Sequence, residues 1–327
     1  MQTTRRKLLA ALGGLAGLPL ARAARASATA WPAQPLRLIL PYAAGGPTDV
    51  LARAVAQHVA RQLGQPVIVE NKTGASGNIA GETVARARPD GYTLLYHSSG
   101  LAISPALYRQ LPYDPLRDFA PVGLTASIPL VLMTANSLPP TDTRQFIDYL
   151  KAHPDALSYG TGGVGNITHL SVALFLHATG TRAVGIPFKG TNPAMVAMLG
   201  GQVQFMVDAI SSALPYIRDG RVRALAVTGA ERSPALPQVP TLREAGLKDL
   251  TMSTWQGVLA PAATPQPVVE RLSQALADAV RDPAIAGPFT AQGVDLRSSS
   301  PAEFQAYLGQ EVRRWGDAVR MAGIQPE

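Results

Sequence analysis

The 327-residue chain contains no cysteine. That absence removes disulfides, thiolate metal sites, cysteine nucleophiles and a lipid-modified cysteine anchor in one step, and it is compatible with an exported soluble protein. Catalytic signatures are missing too. There is no Gly-x-Ser-x-Gly elbow and no His-Glu-x-x-His site, and the five histidines (His58, His97, His153, His169, His177) have no spacing that suggests a triad or a metal cluster. No catalytic residue, metal or cofactor is therefore expected, and an exported hydrolase is the weaker reading. Acidic residues are absent from Ala156 to Val207, where Arg182 and Lys189 are the only formal charges.

The first 28 residues read as an export signal. Arg5-Arg6 is a twin-arginine pair, Leu8 to Leu20 is short and apolar, and Ala24-Arg25-Ala26 and Ala26-Ser27-Ala28 are small-x-small cleavage sites. An ordinary Sec signal would change the route and keep the destination. The run is shorter than the roughly 20 apolar residues of a membrane span. Five basic residues and no acid leave with it, taking the net charge from +7 to +2. A charge of +2, with no basic block or aromatic–basic interleaving, gives no case for nucleic-acid binding.

What is present is a repeated unit of strand, glycine turn and helix start. Leu36 to Leu40 is apolar and breaks into Pro41-Tyr42-Ala43-Ala44-Gly45-Gly46-Pro47-Thr48-Asp49. Leu51, Val55, Val59 and Leu63 then fall four apart, the stripe of an amphipathic helix. A helix N-terminus carries unpaired N–H groups and about half a positive charge, so an open glycine turn there seats an anion. A side chain at Gly45 or Gly46 would block that approach. The loop lacks the Lys-Ser/Thr of a P-loop.

A second cluster, Gly160-Thr161-Gly162-Gly163-Val164-Gly165, matches a bare dinucleotide fingerprint but has no acid about 20 residues on for the ribose. The stretch around it, with Gly162, Gly163, Asn166, Thr168, His169, Lys189, Gly190 and Thr191, reads either as a second lining for an anionic ligand or as buried chain. For Val172, Leu174, Phe175 and Leu176 burial is the better account.

Further units follow the same plan. Val67 to Glu70 leads through Asn71 to Asn78 into a helix over Ile79 to Ala87. The strand Tyr92 to Tyr96 leads through His97-Ser98-Ser99-Gly100 to a short helix over Pro105 to Arg109. Val122 to Leu124 and Pro129 to Thr134 are expected as separate strands. Helices are expected from Thr141 or Asp142 to His153, over His169 to His177 and over Asn192 to Leu199, with strands at Val184 to Phe188, Val203 to Asp208 and Ala224 to Val227. Ser300-Pro301-Ala302-Glu303 is a capping box that opens a helix with a Phe304, Leu308, Val312, Trp315, Val319 stripe. The alternation predicts a mainly parallel α/β architecture in two lobes, with ligands bound at the carboxyl ends of the strands.

Taken together, Pro41 to Asp49, Val69 to Asn78, Pro89-Asp90-Gly91-Tyr92-Thr93-Leu94-Leu95, Leu111-Pro112-Tyr113-Asp114-Pro115, Pro187-Phe188-Lys189-Gly190, Leu199-Gly200-Gly201-Gln202-Val203, Pro237-Gln238-Val239-Pro240-Thr241, Leu259-Ala260-Pro261 and Arg314-Trp315 resemble the Bug (Bordetella uptake) family. These are periplasmic solute receptors, the substrate-binding components of tripartite tricarboxylate transporters. The resemblance implies a type II periplasmic binding protein fold, an α/β fold whose two lobes close on a ligand cleft. It implies a discontinuous lobe I (29–125 and 256–327) and a lobe II (126–255), with the chain crossing near Val122 to Thr125 and returning near Trp255 to Leu259. The expected ligand is a small organic carboxylate, and the expected partners are membrane transporter subunits or, alternatively, a sensor kinase.

By the same resemblance, the ligand-binding positions are Tyr42, Ala44, Gly45, Gly46, Thr48, Ser76, Asn78, Ser98, Ser99, Gly162, Gly163, Asn166, His169, Lys189, Gly190 and Thr191; Asp208, at the end of an expected strand facing the cleft, is a further candidate. Neutral donors satisfy a carboxylate without the desolvation cost of a buried ion pair. Many relatives have Phe and Pro where this chain has Tyr42 and Ala44, and Ser or Thr where it has Asn166, so the resemblance does not carry over the ligand's identity. Asp208 reads either as a partner for an amino or hydroxyl group of the ligand or as a brace for a nearby loop. His97 and His169 read as ligand donors or loop braces, and His58, on an amphipathic helix, as structural.

Overall fold

The computed structural model describes residues 31–326; the expected export signal at 1–28 lies outside them. Gln34–Glu327 forms one compact unit, and of the preceding unit, Met1–Ala33, only the last three residues are described. Among the described residues no helix is long and apolar enough to cross a membrane.

Three strand–loop–helix units open the compact body: β1 (Leu36–Leu40) with α1 (Pro47–Leu63), β2 (Val67–Asn71) with α2 (Asn78–Ala85), and β3 (Thr93–Ser98) with α3 (Gly100–Leu107). A 17-residue strand, β4 (Phe119–Ala135), and α4 (Thr143–Ala152) follow. Three more units come next: β5 (Ser158–Thr161) with α5 (Ile167–Thr179), β6 (Val184–Pro187) with α6 (Thr191–Leu199), and β7 (Phe205–Ala209) with α7 (Ile210–Arg218). The chain ends through β8 (Val222–Val227), β9 (Ser253–Pro261), α8 (Gln266–Arg281), α9 (Pro283–Thr290), β10 (Asp295–Leu296) and α10 (Pro301–Met321).

The strands form one continuous sheet with two halves built alike. The first half runs β2-β1-β3-β9-β4 and the second β6-β5-β7-β4-β8. In each of these runs, four strands point one way and a single strand points against them. That strand is β9 in the first half and the end of β4 in the second. The expected parallel architecture thus holds within each half, and the antiparallel exceptions are β9 and the two-residue β10 beside β4 in the first half and the end of β4 in the second. The expected pair of strands at Val122 to Leu124 and Pro129 to Thr134 is the single strand β4. Its prolines interrupt the apolar pattern, and register shifts against β9 beside Pro121 and Leu124 accommodate the irregularity.

Helix boundaries follow local chemistry. Leu51, Val55, Val59 and Leu63 are buried along α1, and Gly64, left-handed at φ 70°, ends the helix while its N–H bonds Ala60. The capping box of α10 is formed: Ser300 Oγ accepts from Glu303 N at 3.2 Å, and Ser300 N donates to Glu303 Oε2 at 2.8 Å. The helix over Pro105 to Arg109 instead occupies Gly100–Leu107, with Pro105 in its second turn. Pro105 therefore lies inside the helix and does not open it.

Phe304, Leu308, Trp315 and Val319 of α10 join Ile39, Leu95 and Trp255 in the core over one face of the first half-sheet. Val55, Val59, Leu272 and Leu276 of α1 and α8 cover Leu38 and Leu94 on the other. Separate clusters around Met133, Met195 and Met206, and around Phe146, Phe175 and Phe205, fill the two faces of the second half. Leu170 of α5 is buried in the α10 core, so the halves also meet through side chains.

The β4–β9 pair tolerates little change. A Cβ at Gly257 of β9 would sit 2.7 Å from the Phe304 ring and 3.0 Å from the Gly123 carbonyl. Gly257→Ala is therefore expected to destabilise the protein by about 1–3 kcal/mol through overpacking, read as a lower urea midpoint at unchanged m-value.

Candidate functional site

All six loops that precede α1, α2, α3, α5, α6 and α7 lie at the carboxyl ends of parallel strands, the edge of an α/β sheet where ligands bind. The helix starts there share an uncommon trait. α1, α2, α3, α6 and α7 have no side-chain cap, their N-cap positions being Gly46, Gly77, Ser99, Gly190 and Ala209. Only α5 is capped, by Asn166 Oδ1 accepting from Thr168 N. Away from these loops, α4, α9 and α10 are capped by Asp142, Asp282 and Ser300, and α8 is not. Helix starts without a side-chain cap, with their dipole ends, are thus concentrated at the strand ends.

In the first half, the loop residues are tied into one cluster. The Tyr42 hydroxyl is hydrogen-bonded to Ser98 Oγ, and burial pushes the phenol's pKa up to about 12. Ser98 N donates to His97 Nδ1 at 2.8 Å, and burial pulls the His97 pKa down to about 4, so the ring is neutral. Thr48 Oγ1 accepts from Gln256 Nε2 at 3.1 Å, while Tyr96 OH donates to Gln256 Oε1 at 2.9 Å and bonds Thr125 Oγ1 at 2.8 Å. This buried chain connects the first turn of α1 to both β4 and β9. Ser76 accepts from the Tyr108 hydroxyl at 2.8 Å.

Two further predicted positions carry internal bonds. Asn78 Oδ1 accepts from Ser104 Oγ at 3.0 Å and Tyr113 OH at 2.9 Å, and Ser99 Oγ accepts from Trp255 N at 3.1 Å. Ala44 and Gly45 are exposed on the loop, and Gly46 is half-buried.

Sequence reasoning missed the residue that shapes the first loop. Asp49, 2% exposed, accepts from Gly45 N at 2.9 Å, from Arg53 Nε at 2.8 Å and Nη2 at 2.9 Å, and from Asn71 Nδ2 at 2.8 Å. Asn71 Nδ2 also donates to the Tyr42 carbonyl at 2.9 Å. The expectation of an open Gly45 N–H is thereby corrected: Asp49 holds it. The four-residue Asp49–Arg53 spacing was the available signal. The Arg53 guanidinium, with Asn71 and the Gly45 N–H, holds the Asp49 carboxyl well below the usual carboxylate range.

In the second half, Gly162, Asn166, Thr168, Thr191 and Asp208 come together. Gly162 N donates to Thr168 Oγ1 at 2.9 Å, Gly163 N to Thr161 Oγ1 at 3.2 Å, Gly165 N to His169 Nδ1 at 3.2 Å and Gly190 N to the Gly162 carbonyl at 3.3 Å. These N–H groups also serve the loop itself, and burial holds the His169 pKa below its usual value. A Cβ at Gly162 would lie 3.0 Å from Thr191 Cγ2 and 3.5 Å from Asn166 Cγ. Lys189 is exposed, as is the Asn166 side chain. Asp208 is 4% exposed, accepts from Ala209 N at 2.8 Å and has its pKa pushed up to about 7 by burial.

The halves approach each other where Gly165 (φ +71°) meets Leu107 of α3; a Cβ there would lie 2.7 Å from both Leu107 methyls. A separate cavity of ≈ 360 Å³, bordered by Ser127, Arg232, Thr251 and Arg297, contains none of the predicted residues. His58 bonds Asp282 at 3.0 Å, away from these loops. Among the described residues, no group of three or more His, Asp or Glu is placed to hold a metal ion.

A family model described as "Tripartite tricarboxylate transporter family receptor" matches residues 51–324. The chain belongs to this family. It is 36% identical to the solved periplasmic binding protein BugD, with a TM-score of 0.76 over 91% of this chain and 100% of that one. Rpa4515 of R. palustris, solved with adipate, is 34% identical with a TM-score of 0.79, covering 91% of this chain and 100% of that one. MatC of Rhodopseudomonas palustris, solved with bound malate, is 36% identical with a TM-score of 0.75, covering 88% and 99%. The receptor is thus a Bug-type protein with the two-lobed type II periplasmic binding fold. These relatives lend no support to the sensor-kinase alternative.

Asp49→Ala is expected to cost about 1–3 kcal/mol at pH 7, because Asn71 and the Gly45 N–H lose their shared acceptor. The Asp49 pKa is lowered by folding, so its contribution is fully present above the unfolded carboxylate value of about 4 and is lost progressively as pH falls from there toward the lowered folded value. Urea unfolding at pH 7 and pH 2.5 should show the gap between variant and wild type narrowing.

Proposed function

We propose that this protein is a periplasmic receptor that binds a small organic carboxylate and delivers it to the membrane subunits of a tripartite tricarboxylate-type transporter. The observation that carries this reading is the set of five helix N-termini without side-chain caps at the strand ends, in a chain whose relatives hold adipate and malate. A carboxylate supplies the acceptors those N–H groups lack. No chemical step is assigned to the site, and the ligand leaves as it arrived.

The proposed ligand-binding set runs from Tyr42, Ala44, Gly45, Gly46 and Thr48 through Ser76, Asn78, Ser98 and Ser99 in lobe I to the second-half group around Gly162, Gly163, Asn166, His169, Lys189, Gly190, Thr191 and Asp208. Lobe I is assigned 29–125 with 256–327 and lobe II 126–255, a division supported by β4 pairing with β9 in the first half-sheet and with β7 in the second. Export through the signal at 1–28 completes the reading.

The test is a thermal-shift screen of the purified protein against adipate, malate, succinate, citrate and aromatic carboxylates, followed by calorimetry. A ligand at a hundredfold excess over its Kd adds about 2.7 kcal/mol, and the bound compound should be recovered unchanged. Turnover of the stabilising compound, or stabilisation by none of the carboxylates, overturns the reading. Gly46→Val probes the seat. Gly46 has an extended backbone (φ −73°, ψ 164°), with only the Ala43 carbonyl, at 3.6 Å, near its Cβ position. At Gly45 (φ +81°) a side chain would strain the loop itself. Gly46→Val should keep the unfolding midpoint and weaken binding by at least about tenfold; unchanged affinity would place the ligand elsewhere.

A further inference from the structure

Asp208 is an unusual acid for its surroundings. It lies near the end of β7, where Phe205 and Val207 pack on one face of the sheet and Met206 on the other with Ala194, Met195, Ile210 and Ala213. Strand alternation puts Asp208 on the Met206 side, toward α6 and α7, with the Thr191 hydroxyl beside it. Its carboxyl is buried and accepts one backbone N–H, from Ala209. Among the described residues it makes no ion pair.

The elements around it supply no counter-charge. Thr191–Leu199 of α6 contains no titratable group, nor does the stretch of β4 from Leu130 to Ala135 that runs beside it. Lys189, before α6, is exposed, and Arg218, at the far end of α7, reaches the Ala291 carbonyl. His169 on α5 has its Nδ1 engaged by Gly165 N, and burial lowers its pKa. Tyr159 on β5 is held in its neutral form by burial. A carboxylate ligand seated at these helix starts would bring a second negative charge to a buried carboxyl without a cation, an arrangement that two ionised groups cannot share cheaply.

We infer that Asp208 engages the ligand as a neutral carboxylic acid, donating a hydrogen bond to a ligand carboxylate oxygen, so that wherever its carboxyl is ionised in the free protein, binding of the anion takes up a proton from solvent. This rests on the carboxylate-receptor reading and specifies how the second half recognises its ligand. An acid of this kind accepts an anion and disfavours a ligand that presents an ammonium group at the same place, since the ammonium would require the ionised form.

The free carboxyl titrates near pH 7, and a bound anion raises it further. Affinity is then level below pH 7 and falls as pH rises above it, by about tenfold per unit when one proton is linked to binding. His97 and His169 are held neutral throughout this window, and ligand carboxylates are fully ionised in it.

Calorimetry of the wild type with adipate and with malate, at pH 8 in phosphate and in Tris, reads the proton directly through the difference in buffer ionisation heats. Uptake approaching one proton per ligand, with Kd rising about tenfold per unit between pH 7.5 and 9, is the expected result. Asp208→Asn, which keeps a donor and cannot ionise, should show no uptake, a Kd independent of pH, and tighter binding than wild type at pH 9. Binding by the wild type with no proton exchange, or with release, overturns this inference and leaves the carboxylate receptor standing. Failure of the wild type to bind any carboxylate overturns both. The two-buffer measurement needs no variant, so a misfolded Asp208→Asn would not blur the outcome.

Discussion

One strand belongs to both halves of this protein, and every other element is arranged around that constraint. β4 pairs with β9 at the edge of the first half-sheet and enters the second as its lone antiparallel member between β7 and β8, while β9 stays in the first half between β3 and β4. Because each half needs the visiting strand to complete its hydrogen-bond ladder, neither sheet is whole without the other. The halves are therefore joined through the continuous backbone and hydrogen-bond ladder of β4. The close contact of Gly257 with the Phe304 ring ties β9 to α10, and α10 in turn shares a core with Leu170 of the second half.

Polar bonding is divided between scaffold and seat. The chain Thr125–Tyr96–Gln256–Thr48 is buried and fully engaged, and it runs from a crossing strand to the first turn of α1. Asp49 uses its acceptor capacity on Gly45, Arg53 and Asn71. With the loops fixed by such internal bonds, helix starts without caps remain ordered, so ordering need not be supplied by the ligand. The second-half loop is more self-satisfied than the first, since Thr161, Thr168 and His169 take the N–H groups of Gly163, Gly162 and Gly165. The two groups of loops thus differ in their internal bonding, the first tied largely through side chains and the second through its own backbone N–H groups.

The glycine loops and their helices were legible because both signals are local: a turn composition followed by a four-residue apolar period. The stripe and capping box of α10 were readable for the same reason. β4 was read as two pieces because Pro121, Gly123 and Pro129 break an apolar pattern that tertiary pairing with β9 overrides. Helix α7, with Pro215 inside it, went unnoticed, since proline masks a helical period. At the candidate site, the positions were nameable while their bonds were not. Asn78 and Ser99 look like ligand donors by composition, yet their oxygens serve Ser104, Tyr113 and Trp255, partners 26 or more residues away. Only Asp49, four residues from Arg53, left a trace that sequence could have yielded.

The meeting of Gly165 with Leu107 leaves no room for a Cβ unless the Leu107 side chain or the loop before α5 shifts. A side chain there acts as a wedge between that loop and α3. Because the Gly165 N–H also holds His169, such a wedge would disturb the contact between the halves and the second-half loop together.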